Sequence, residues 1–132
     1  MSNISDAFKN GKAFIGFVTA GDPDLDTSLE VMTSMAQGGC DLIEIGIPFS
    51  DPIAEGPVIQ EADLRSLENG TTTDKVFDLT KKLKERVDIP LVYMTYLNVL
   101  FKYGYDRFLQ NAKESGVSGV IVPDLPFEEK NE

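Results

Sequence analysis

The chain has 132 residues, 42% of them apolar, and a formal net charge of −10, so one ordinary domain with a true core is expected and disorder is not. No Lys/Arg cluster is longer than Lys81-Lys82, which with the acidic balance argues against nucleic acid and against an anionic membrane surface as partners. With no histidine and one cysteine, Cys40, the residues exclude Ser-His-Asp and Cys-His catalysis, histidine-based metal ligation and an internal disulfide.

Chemistry in this chain therefore rests on carboxylates, tyrosines, lysines or backbone dipoles, and the 22 acidic residues come first. Cys40 reads as a small buried residue before a strand, and a reducing compartment fits it best. No basic stretch leads into an apolar run, and no apolar segment approaches the roughly 20 residues that cross a bilayer. A soluble, cytoplasmic protein is expected, with no metal.

In chain order, an apolar run from Ala13 to Thr19 leads into Gly21-Asp22-Pro23. Asp22 reads as a helix cap with Pro23 in the first position, and Gly38-Gly39 as the stop. Between them Leu25, Leu29, Met32 and Met35 or Ala36 recur at helical spacing. A second apolar run, Leu42 to Ile47, follows directly. A loop of about ten residues then reaches a short helix from Gly56-Pro57 to Asn69-Gly70. Thr71 to Asp74 opens a longer helix with Val76, Leu79, Leu83 and Val87 on one face. Asp88-Ile89-Pro90 ends it before the third run, Leu91 to Thr95. A helix near Tyr105 to Ser115 stops at Gly116, and the fourth run, Val120 to Val122, ends at Pro123-Asp124.

Short apolar strands alternating with amphipathic helices indicate parallel βαβ units. An open doubly wound sheet and a closed barrel both fit. In the second run Ile43, Ile45 and Ile47 share one face while Leu42, Glu44 and Gly46 share the other. A strand covered on both sides reads apolar throughout, so the charged face is expected to look into a lumen or a site. Phe17 with Thr19, and Met94 with Tyr96, are similarly mixed near the C-terminal ends of their strands, where α/β barrels place their chemistry.

The stretch from Leu42 to Pro57, LIEIGIPFSDPIAEGP, resembles the alpha subunit of tryptophan synthase. So do Phe17 to Pro23, Tyr96-Leu97-Asn98 with Phe101, and Val122 to Pro126 with Glu128-Glu129, in the same order along nearly the whole chain. The resemblance implies a parallel (βα)8 barrel of TIM type, of which residues 1–132 are the N-terminal half, with four strands. It implies retro-aldol cleavage of indole-3-glycerol phosphate to indole and glyceraldehyde 3-phosphate, a carbon–carbon lyase step in tryptophan biosynthesis. It further implies that the chain itself needs no cofactor and that pyridoxal phosphate belongs to a partner beta subunit, in an alpha2-beta2 heterotetramer.

Residue by residue, Glu44 matches the family's catalytic glutamate. Glu55 stands where the family usually has a second catalytic carboxylate, an aspartate one methylene shorter. Phe17, Met94, Tyr96, Ile121 and Pro123 fall where the family surrounds the indole ring. Pro48 and Asp51 lie in the loop that senses the beta subunit, and Asn98 in the region that docks on it. Each has a plainer reading. A strand glutamate can point to water or pair with a lysine, a loop acid is usually solvated, Asp51 before Pro52 is a turn residue, and Met94 and Tyr96 suit a core.

A (βα)8 barrel takes about 250 residues, and its phosphate often binds at the loops after strands seven and eight. The 132-residue piece is therefore expected to lack the substrate anchor and to be inactive alone. The alternative is a non-catalytic half-barrel module that folds and offers the loop from Pro48 to Gly56 to a partner.

Overall fold

A computed structural model describes residues 4–8, 11–49 and 57–124. After a short 3-10 turn, Ile4–Phe8, the elements are β1 (Ile15–Thr19), α1 (Leu25–Gln37), β2 (Leu42–Gly46), α2 (Pro57–Glu68), α3 (Thr73–Arg86), β3 (Leu91–Met94), α4 (Leu97–Tyr103), α5 (Tyr105–Ser115) and β4 (Gly119–Ile121). The four strands make one parallel sheet in the order β1-β2-β3-β4. Sequential order decides the question that patterning left open. A doubly wound sheet reverses its strand order at a switch point, whereas a barrel adds each strand beside the last.

Burial agrees with the barrel arrangement. Ile43 and Ile45 are fully buried and Ile47 nearly so, packed with Leu29, Met32, Val76, Leu79, Leu83, Tyr93 and Phe108 in the main core. This is the helix-covered face. Register puts Ile15, Phe17 and Thr19 beside Leu42, Glu44 and Gly46, then Val92 and Met94, then Gly119 and Ile121, on the opposite, open face. There Leu42 and Val92 pack with Ala7 from the N-terminal turn in a small second cluster. Strand alternation therefore divides the two faces as the isoleucine pattern required.

The core on the helix side is finished by aromatic and hydroxyl contacts. Phe77, Tyr93, Tyr103 and Phe108 meet edge-on or tilted, with ring centroids 5.3 to 6.2 Å apart. Tyr93 Oη donates to Thr80 Oγ1 at 2.7 Å and lies 2.9 Å from Ser115 Oγ. Burial, offset in part by these hydrogen bonds, pushes the Tyr93 phenol up to about 12.

Two local expectations need correction. Asp22 does not cap α1. The cap is Asp24, whose Oδ1 accepts from Thr27 N at 2.7 Å and whose Oδ2 accepts from Thr27 Oγ1 at 3.0 Å. These bonds hold the Asp24 carboxyl below its ordinary value. Asp22 instead pairs with Arg65 across 43 positions of sequence. The segment from Leu97 to Tyr103, for which no helix was expected, is α4; Asp124 accepts from its first amide, Leu97 N, at 2.9 Å. The strands also start elsewhere than expected: β1 at Ile15 instead of Ala13, β4 at Gly119 instead of Val120.

Candidate active site

Glu44 sits at the middle of β2, half-buried on the open face. It lines a cavity of about 260 Å³ whose other walls are Ile4, Phe8, Ile15, Leu42, Val92, Gly119, Val120 and Ile121. Among the described residues, Glu44 is the only ionisable group in these walls. A single carboxyl at the edge of an apolar cavity suits a ligand with an apolar body and one reacting polar end.

Of the residues expected around a ring, Ile121 lines this cavity with Glu44. Phe17 is the β1 partner of Glu44, and Met94 is the partner of both Gly46 and Ile121, so both share the open face. Tyr96 lies beyond the end of β3, buried, its ring 5.5 Å from that of Phe49. Pro123 is exposed in the turn after β4. Neither Tyr96 nor Pro123 lines the cavity. Glu55 and Asp51 lie outside the described residues.

Pro48 and Asn98 come to a different place. Pro48 lines a groove of about 390 Å³ with Phe49, Leu67, Thr73, Val99, Lys102 and Tyr103, and Asn98 lines an adjoining one of about 400 Å³ with Phe49, Phe101 and Lys102. The two share Phe49 and Lys102 and have no wall in common with the cavity at Glu44. Both are larger than that cavity, yet among the described residues neither is lined by a carboxylate. Their apolar lining and the 63% exposed Phe101 suit a macromolecular contact better than chemistry.

The sequence reading missed Ile4, Phe8, Ile15, Leu42, Val92, Gly119 and Val120 as cavity walls. Four of them were available from alternation, because Ile15, Leu42, Val92 and Gly119 pair across the strands on the Glu44 face. Ile4 and Phe8 carried no such signal. Also missed was the packing of α2 on the loop after β1. Ser66 Oγ donates to Ala20 O at 2.5 Å, and Asn69 Nδ2 donates to Pro23 O. Arg65 Nε and Nη2 donate to the two Asp22 oxygens at 2.8 and 3.1 Å. The hydrogen bond to Asp22 raises the Arg65 guanidinium above its ordinary value.

Among the described residues no group of three or more His, Cys, Asp or Glu could hold a metal, and no helix is long and apolar enough to cross a membrane.

Comparison with known proteins places this geometry. The family model described as tryptophan synthase alpha chain matches residues 4–132. The tryptophan synthase alpha chain of Lacticaseibacillus casei is 48% identical over the whole of this chain and 50% of its own length. The solved tryptophan synthase subunit alpha of Legionella pneumophila superimposes with a TM-score of 0.90 at 39% identity, over 98% of this chain and 52% of that one. A chain in the tryptophan synthase complex of Pyrococcus furiosus gives 0.84 at 41% identity, over 89% of this chain and 48% of its own. The chain thus spans about half the length of the curated relatives it matches, and its four strands have the TIM-barrel arrangement of those neighbours. By fold, by the family model and by identity along its whole length, this chain belongs to the tryptophan synthase alpha chain family.

Proposed function

We propose that, within an alpha chain of full family length, these residues form the acid–base half of a site that cleaves indole-3-glycerol phosphate to indole and glyceraldehyde 3-phosphate. They are the N-terminal half of one (βα)8-barrel domain. The observation that carries the reading is Glu44 at the wall of an apolar cavity on the open face. The protonated Glu44 carboxyl gives its proton to the ring carbon that bears the glycerol chain. The resulting carboxylate takes the proton of the adjacent chain hydroxyl. The carbon–carbon bond breaks, its electron pair returns to the ring, and the hydroxyl carbon becomes the aldehyde. Glu44 ends as it began, so no cofactor is consumed.

Glu55 accepts the ring N–H and stabilises the positive charge that develops there. Phe17, Met94 and Ile121, together with Tyr96 and Pro123, surround the ring. The partner is a beta subunit that holds pyridoxal phosphate, in an alpha2-beta2 assembly located in the cytoplasm. Pro48, Asp51 and Asn98 face it. The two adjoining grooves at Phe49 and Lys102 support that assignment, since they gather Pro48 and Asn98 on one surface away from Glu44.

The test is Glu44→Gln in a chain of full family length carrying this segment. Indole release is expected to fall by roughly 100-fold or more, the usual cost of losing a general acid–base group, with an unchanged far-UV spectrum. Turnover above a tenth of the parent would remove Glu44 from the mechanism.

A further inference from the structure

α4 is joined to the end of β4 by a bond that its own neighbours in sequence do not supply. An N-cap acceptor ordinarily comes from the residue just before the helix. Here that residue, Tyr96, makes no side-chain capping bond. Asp124 Oδ1, 27 positions further along the chain, accepts from Leu97 N at 2.9 Å instead. On the other side of Tyr96, Thr95 N donates to Ile121 O at 3.0 Å. The backbone before and after Tyr96 is therefore tied to the end of β4. Leu100 is buried in the main core and Leu97 and Val99 pack against it, so the helix itself is anchored apolarly. The exposed Asp124 adds a directional link between two turns at the C-terminal ends of adjacent strands.

Each side of this link carries residues already placed. α4 contributes Asn98, Phe101 and Lys102 to a groove shared with Phe49, whose ring lies 5.5 Å from that of Tyr96. On the other side Ile121 lines the cavity with Glu44, and Pro123 follows two positions later. The Leu97–Asp124 bond can be made or broken. A partner that binds the made arrangement more tightly shifts the balance toward it. We propose that Asp124 is a positioning residue through which a beta subunit docked on α4 acts on the ring subsite. With the bond made, the turn that carries Pro123 is held against α4, and Ile121 is held beside Glu44. The proposal rests on the readings given above of Asn98 as facing a beta subunit and of Ile121 and Pro123 as ring contacts.

The experiment is steady-state indole release by a chain of full family length, alone and with saturating beta subunit carrying pyridoxal phosphate. The parent is expected to turn over faster with the beta subunit than without it. Asp124→Ala is expected to reduce that increase by about fivefold or more, the low end of ordinary coupling between sites, while its rate alone stays within about twofold of the parent. Its thermal midpoint should change little, because Asp124 is exposed. Asp124→Asn keeps an acceptor oxygen and is expected to retain most of the increase. A bond that only closed the helix would lower both rates by the same factor. An undiminished increase in Asp124→Ala, an equal loss with and without the beta subunit, or a loss in Asp124→Asn as large as in the alanine variant overturns the proposal. If the parent itself shows no increase, the reading of Asn98 fails and the proposal with it, while the lyase reading, tested by Glu44→Gln, stands.

Discussion

The ring of Phe17 fills the space that a side chain on Gly46 would need: a Cβ there would stand 2.6 Å from Phe17 Cζ and 3.1 Å from Cε2. The two residues are on neighbouring strands, and Phe17 is the register partner of Glu44. The glycine therefore decides where an aromatic wall lies beside the proposed acid–base group. Gly46→Ala is expected to displace the ring. Because the clash falls on the far end of a half-buried side chain, the stability loss should stay near the low end of the ~1–3 kcal/mol typical of overpacking. Indole release should fall by at least tenfold in kcat/KM. Full activity in the alanine variant would mean that the Phe17 ring does not bound the ligand.

Tyr93 gives a prediction about pH. Its phenol is raised from an ordinary value of 10.0 to about 12 in the fold. Above pH 10 the unfolded chain ionises this group while the folded chain keeps it protonated. The unfolded state then binds fewer protons, and stability falls with rising pH. The contribution is intact below pH 10 and is lost progressively between about 10 and 12, a loss of roughly 2–3 kcal/mol at ~1.36 kcal/mol per pH unit. Tyr93→Phe removes the titrating group. It should cost on the order of 1 kcal/mol at pH 7, since Thr80 and Ser115 keep their bonds to Val76 O and Ala112 O. Denaturant midpoints measured from pH 8.5 to 11.5 should decline less steeply in the variant. Parallel declines would assign the alkaline sensitivity to other tyrosines.

Which features were legible in the sequence follows from how local their causes are. The Ile43-Ile45-Ile47 face was readable because a strand of period two with one covered side writes its environment into alternate residues, and Glu44 broke the pattern on the other side. The choice between Asp22 and Asp24 as helix cap was not readable. Both are acids just before α1, and what separates them is Arg65, more than 40 residues away. α4 was missed for a related reason. It has seven residues and its N-cap residue Tyr96 makes no side-chain capping bond; the acceptor for its first amide, Asp124, arrives only after β4. The Tyr93–Thr80–Ser115 hydroxyl contacts likewise need the packing of α3 and α5 against β3 before they exist.

The length of the second acid is testable separately from its position. On the proposed reading, Glu55 stands where the family usually has an aspartate and is one methylene longer. In a chain of full family length, Glu55→Asp is expected to keep activity within about threefold of the parent or to raise it. Glu55→Ala should lose on the order of 100-fold, the scale of removing a charge-stabilising group. Alanine turnover equal to the parent would make Glu55 a solvated loop acid.

The final prediction concerns a polypeptide made of these 132 residues and nothing more. It is expected to fold the parallel sheet described above yet release no measurable indole from indole-3-glycerol phosphate. Catalysis draws on binding energy from the non-reacting end of a substrate, and here that end is a phosphate dianion. Barrels of this type commonly bind such a group at the loops after strands seven and eight, against a helix N-terminus. A net charge of −10 repels it in their absence. The open face also lacks its second half. Ile15 and Ile121, 42% and 41% exposed at the two outer strands, would be in contact with water, and so would the cavity in which Glu44 sits. The assay is indole release at millimolar substrate by the mass-verified 132-residue polypeptide. It should be repeated after adding a separately made polypeptide with the remainder of a family barrel. Activity that appears only on mixing would locate the missing element in the second half. Turnover by the 132 residues alone, near that of an intact alpha chain, would place the phosphate site within them and overturn the division of the site proposed above.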